Sequence, residues 1–220
     1  MHNSLQKERP ITIGVMCGAS PKCSPKFAQA SSDIAEKLAG FGYKFVYGGG
    51  SFGLMGAFAS SALLHGAEVI GVMPGFMQKV EWNHSGLSEL ILTEDFGERK
   101  AKMYQLSDHI LILPGGLGTL DELFDVIMKK RFGLFMGKII IFNQDGFFDD
   151  LLTFLKSITK KNFAESTDRS LWVVANNIGE ISAAINSKLK AHKTLLARCE
   201  EERQLYERKD TVASIWTTSM

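Results

Sequence analysis

Only three cysteines occur in 220 residues, Cys17, Cys23 and Cys199, and they make neither an even disulfide framework nor a Cys-x-x-Cys spacing. They read as reduced thiols, Cys17 as a small buried hydrophobe, and no metal or other cofactor is expected. Charge of one sign is scarce too: 25 Lys and Arg against 24 Asp and Glu leave a formal net charge of +1. A surface without a strong positive field argues against nucleic acid as the main partner. Long hydrophobic runs are missing, since none approaches the roughly 18 residues of a membrane span. Met1 to Pro10 also lacks the apolar centre of a secretory leader, so a cytoplasmic chain with no membrane partner is expected.

Apolar side chains, by contrast, make up 45% of the chain and include 15 Phe, enough for a sizeable interior with a surplus that suggests a homo-oligomer. Short runs rich in Ile, Val and Phe recur at Ile11–Cys17, Tyr43–Tyr47, Glu68–Met73, His109–Leu113, Lys138–Phe142 and Leu171–Ala175. Between them Ser24–Phe41, Leu54–His65, Arg99–Ser107, Thr119–Phe132, Phe147–Thr159 and Ile178–Lys190 carry apolar residues three or four apart. This alternation of strand and helix predicts an α/β fold, Rossmann-like and mostly parallel, with helices on both faces of one sheet. A single domain over residues 11–190 follows, with an N-terminal tail over 1–10 and a C-terminal extension over 191–220. In that extension Leu195, Cys199 and Tyr206 share a narrow stripe that suits a docking helix at an oligomer contact, with a frayed tail as the alternative. Gly75–Leu90 does not alternate cleanly and is expected to be a loop over the strand ends.

The chemistry concentrates in glycine-rich loops. Leu113-Pro114-Gly115-Gly116-Leu117-Gly118-Thr119-Leu120-Asp121-Glu122 leaves a strand and opens a helix. Glycines let backbone N–H groups approach an anion, the helix start adds unpaired donors and a positive dipole end, and Thr119 adds a hydroxyl. Gly115, Gly116, Gly118 and Thr119 are therefore the candidate phosphate cradle. Tyr47-Gly48-Gly49-Gly50-Ser51-Phe52-Gly53-Leu54-Met55-Gly56 and Cys17-Gly18-Ala19-Ser20 stand at equivalent strand ends. Three loops on one sheet edge make Gly18, Ser20, Gly49, Gly50 and Met55 candidate substrate contacts. Neither the G-x-x-x-x-G-K-[ST] loop of nucleotide hydrolases nor the G-x-G-x-x-G of dinucleotide folds is present. Arg99 offers a planar fork for a phosphate or carboxylate, while its position also fits a solvated surface Arg. Glu122 has two readings: Thr119-Leu120-Asp121-Glu122 fits a capping box, and a carboxylate beside an anion loop suits glycosidic cleavage.

Taken in order, Gly48-Gly49-Gly50-Ser51-x-Gly53-Leu54-Met55-Gly56, Arg99-Lys100-Ala101-x-Met103 and Pro114-Gly115-Gly116-x-Gly118-Thr119-x-x-Glu122 resemble the Lonely Guy family. The similarity runs from about Ile11 to Lys190. It implies a Rossmann-like homodimer that hydrolyses cytokinin riboside 5'-monophosphates and AMP, with Arg99 and Glu122 catalytic, Glu81 on the ribose and Lys100 assisting. The family's older description as a lysine decarboxylase has no counterpart here, because nothing resembles a pyridoxal phosphate site. Phe96-Gly97 and Met128 to Gly133 depart from the family pattern, and the resemblance implies that both stretches touch substrate. A carrier of nucleotide or molybdenum cofactor on the same fold is the alternative function, and a single-stranded nucleic-acid binder is a third.

Overall fold

A strand buried on both faces has no polar side to alternate with, which is why the apolar runs are nearly continuous. The computed structural model describes residues 9–80, 82–188, 194–201 and 203. It places β1 (Thr12–Met16), β2 (Lys44–Tyr47), β3 (Val69–Pro74), β4 (Glu89–Thr93), β5 (His109–Ile112), β6 (Ile139–Phe142) and β7 (Val173–Ala175) in one sheet. Every pairing is parallel, in the order β4-β3-β2-β1-β5-β6-β7. The Rossmann-like expectation therefore holds, with one strand more than the apolar runs indicate. The loop expected through Leu90 ends sooner, because Glu89 opens β4. This edge strand pairs with β3 alone and leaves Leu92 exposed, so its burial follows no clean alternation.

Successive residues of the inner strands feed two separate cores. Ile13, Val15, Phe45, Tyr47 and Leu111 face α1 (Pro25–Ala39), α2 (Gly53–Leu64) and α6 (Ile178–Asn186). Met16, Val46, Ile110, Ile112 and Ile141 face α3 (Phe96–Leu106), α4 (Leu117–Arg131) and the start of α5 (Asp149–Lys160). α6 ends at Asn186, short of the expected Lys190, which lies outside the described residues. Its last carbonyls, on Ala184 and Ile185, accept from the Lys138 ammonium at 2.6 and 2.9 Å, which satisfies acceptors that a helix end leaves unpaired. Residues 195–201 are helical and Arg198 pairs with Glu165 of its own chain, while Tyr206 lies outside the described residues. Among the described residues no helix is long and apolar enough to cross a membrane.

Strand order reverses between β1 and β5, since the chain leaves β1 toward β2 and leaves β5 toward β6. The loops after β1, β2 and β5 meet at the carboxyl edge beside this switch, where open α/β sheets hold ligands.

Candidate active site

The three loops are locked together through main chain. Gly18 N–H donates to the Pro114 carbonyl at 3.0 Å, and the Gly18 carbonyl accepts from Leu54 and Met55 at 2.9 and 3.3 Å. Such contact is possible because Gly53 adopts φ 60° and presses on the β1 loop; a Cβ there would sit 2.6 Å from the Ala19 carbonyl carbon. At Gly115 a Cβ would come within 2.1 Å of Thr119 Oγ1 and 2.9 Å of Gly18 N. The β2 loop is also strapped from above, as Ser51 N–H donates to the Trp82 carbonyl and His84 N–H to that of Gly49, both at 3.0 Å.

α4 begins at Leu117, and its N-cap, Gly116, provides no side chain to pair the first-turn N–H groups. These donors converge with the positive end of the helix dipole, and nothing lies within 4 Å of where a Cβ on Gly116 or Gly118 would stand. The early start also removes the capping-box reading. Thr119 is the third helical residue rather than the cap, so Glu122 is left without that local role.

Glu122 is instead a buried acid facing a part-buried cation. Its side chain is 4% exposed and Oε1 lies 3.0 Å from Nη2 of Arg99, itself 12% exposed. That contact is an ion pair off the hydrogen-bond direction, because Oε1 has no hydrogen-bond partner. Arg99 is fixed from behind: its Nε donates to the Val72 carbonyl at 3.0 Å and its guanidinium crosses Gly48. Burial pushes the Glu122 carboxyl above its ordinary range; Arg99 opposes this, while Asp121 adds to it and Lys100 subtracts. The Tyr104 hydroxyl donates to the Glu122 carbonyl at 3.1 Å, and burial followed by the Asp125 carboxylate holds that phenol protonated.

A cleft of about 230 Å³ gathers Gly18, Ser20 and Met55 with Arg99, Gly116, Gly118, Thr119 and Glu122. Gly115 lies in an adjoining apolar hollow of about 310 Å³, walled by Phe27 and Phe147, which shares Gly18, Ser20 and Gly116 with the cleft. The other expected contacts stand elsewhere. Gly49 and Gly50 serve the strap, Gly50 bridging Asn83 and accepting from the Tyr47 hydroxyl. Lys100 grips both oxygens of Asp121 at 2.9 Å, and Glu81 lies outside the described residues. Cys17 and Ala19 also line the cleft, although nothing in their type or spacing marks them for it.

Met128 to Gly133 is at the far end of α4. Lys129 stacks over the Tyr104 ring, Lys130 donates to the Gly137 carbonyl, and Arg131 pairs with Glu165 and Asp168. None of the three cations lines the cleft of this chain.

Residues 55–185 match a family model described as possible lysine decarboxylase. The chain is 35% identical over 179 residues to a cytokinin riboside 5'-monophosphate phosphoribohydrolase of Rhodococcoides fascians, covering 81% of this chain and 90% of that protein. A similarly named enzyme of Arabidopsis thaliana is 34% identical over 187 residues, 85% of this chain and 80% of the relative. Among solved structures, the molybdenum cofactor carrier protein of Chlamydomonas reinhardtii superposes with a TM-score of 0.63 at 21% identity, over 80% of this chain and 96% of the carrier. That likeness concerns the fold.

Proposed function

The chain belongs to the Lonely Guy family, whose model bears the older lysine decarboxylase description, and from that premise we propose that it hydrolyses the N-glycosidic bond of a purine nucleoside 5'-monophosphate. The observation that carries this reading is the shared cleft: an uncapped helix N-terminus faces a buried carboxylate with an open acceptor. The first-turn N–H groups of α4 and Thr119 Oγ1 hold the phosphate dianion, so the ribose lies along the first turns toward Glu122. As the bond between C1' and the base breaks, Glu122 stabilises the oxocarbenium-like sugar or takes a proton from the attacking water. Water oxygen joins C1', its proton ends on the departing base, and ribose 5-phosphate remains. Arg99, held by Val72 and Glu122, opposes the effect of burial on the carboxylate and places positive charge beside the leaving group.

A homodimer belongs to the same proposal. Leu117, Phe124 and Met128 form an exposed stripe on α4, with exposed Phe96 on α3 packed edge-to-face on Phe76. Light scattering after gel filtration should give twice the mass of the 24.3 kDa chain.

Incubation with AMP and with isopentenyladenosine monophosphate, followed by chromatography, should show liberated base in the wild type. Thermal stabilisation by AMP with no base released from either would support the carrier instead.

A further inference from the structure

Next to the buried pair runs a second one. Lys100 and Asp121 immediately follow Arg99 on α3 and precede Glu122 on α4, so the two helices are joined by adjacent ion pairs of the same polarity. Lys100 is 17% exposed and reaches both oxygens of Asp121 at 2.9 Å, whereas Asp121 is 61% exposed. Neither residue lines the cleft. A surface pair of this kind contributes little to stability. Its place beside Glu122 gives it another use.

We propose that Lys100 and Asp121 are positioning residues, a paired charge that holds α3 against α4 and balances the field at Glu122. The inference rests on reading Glu122 as the reacting carboxylate. Each partner acts on Glu122 with opposite sign: the ammonium favours its ionised form and the Asp121 carboxylate disfavours it. While the pair is intact the two effects largely cancel, so neither is visible until one partner is removed.

Arg99 supplies the direct positive contact from α3, the Tyr104 hydroxyl is engaged by the Glu122 carbonyl, Asp125 lies one turn further along α4, and from the loop after β1 Cys17 lines the cleft while belonging to the core under α1 and α2. From α2 only the uncharged Met55 reaches the cleft.

The test separates field from brace. If the carboxylate must be ionised, base release rises with pH through the Glu122 titration. Asp121→Asn should move that acid limb down by about half a pH unit, and Lys100→Gln should move it up by about the same. Both shifts are smaller than the roughly one to three pH units of a charge in direct contact, because the pair lies beyond Arg99 and half in water. The double variant should return near the wild-type profile. A mere brace would lower kcat in both single variants without opposite movement of the limb.

The same titration read by NMR, on the 13C-labelled Glu122 carboxyl assigned through Glu122→Gln, requires no turnover. A wild type that releases no base, with the NMR midpoints still moving apart, would sink the proposed function and leave the pair's role standing. Midpoints that coincide or move in one direction would overturn the pair's role whatever the activity.

Discussion

The two ends of α4 are built from similar material and left in opposite states. At the N-terminus Gly116 provides no cap, and Glu122 buries an oxygen that no hydrogen bond reaches. At the C-terminus, about 20 Å away at the rise of an α-helix, Lys129, Lys130 and Arg131 all have partners within the chain. Native interiors pair their polar groups almost without exception, so the unmet capacity around Gly116 and Glu122 is where the proposed function seats its ligand. The far end, where each of the three α4 cations has a partner, serves as scaffold in this reading, even though its charges are the more conspicuous in sequence.

The sharpest way to break that contrast is Glu122→Ala. Removing a positioned acid or base lowers rate by on the order of 10² to 10⁴, and AMP should still raise the melting temperature of the variant because the proposed phosphate donors, main-chain N–H groups and Thr119 Oγ1, are left in place. Unchanged adenine release by chromatography would end the assignment of this carboxylate. Gly115→Ala attacks the other half of the open end. The added carbon, 2.1 Å from Thr119 Oγ1 and 2.9 Å from Gly18 N, forces Thr119 and the β1 loop apart. A displacement near 1 Å costs roughly 10²-fold, and here the loss should include the thermal shift that AMP produces.

These substitutions test residues that sequence reading singles out, and it does so for a reason. A glycine run at a strand end has few explanations, so the cradle and the sheet edge that carries it were both legible. β4 was not, since an edge strand with exposed Glu89 and Leu92 lacks the two-sided burial that makes the inner strands continuous. Glu122 was ambiguous because Thr119 is three residues before it; only the helix start at Leu117 shows that no capping box forms. The bond between Lys100 and Asp121 crosses two helices 21 residues apart, a distance no local pattern reports. Met128 to Gly133 departs from the family pattern at a point implied to touch substrate; within this chain its cations lie away from the cleft and pair with other side chains and main chain.

The saturated end predicts smaller effects of another kind. Arg131 is 23% exposed and bonds to Asp168 at 3.0 Å and Glu165 at 3.2 Å. Arg131→Ala leaves the buried Asp168 without its cation, while Glu165 keeps Arg198, and should destabilise by about 1 to 3 kcal/mol in urea unfolding. Turnover per folded molecule should not change. A large fall in kcat with unaltered stability would tie the far end to the chemistry and dissolve the contrast.

Lys130 gives the subtlest test, because a satisfied hydrogen bond does not make a buried charge free of cost. Burial first, then the neighbouring Lys138, lowers its ammonium from 10.5 to about 8. Below pH 8 folded and unfolded chains both hold the proton, so the penalty is complete and independent of pH. Between pH 8 and the ordinary value near 10.5 the unfolded chain binds more protons, and stability contributed by this group rises with pH. Taken in full the displacement corresponds to roughly 3 kcal/mol, but the site is only part-buried and water screens it, so about 1 kcal/mol is the expected gain. Lys130→Met removes that slope, and the difference between wild type and variant isolates it from every other titrating group. Urea unfolding from pH 7 to pH 10 should therefore show the wild type gaining on the variant above pH 8. A constant difference across that range would mean that the ammonium at the closed end is as well solvated as one in water.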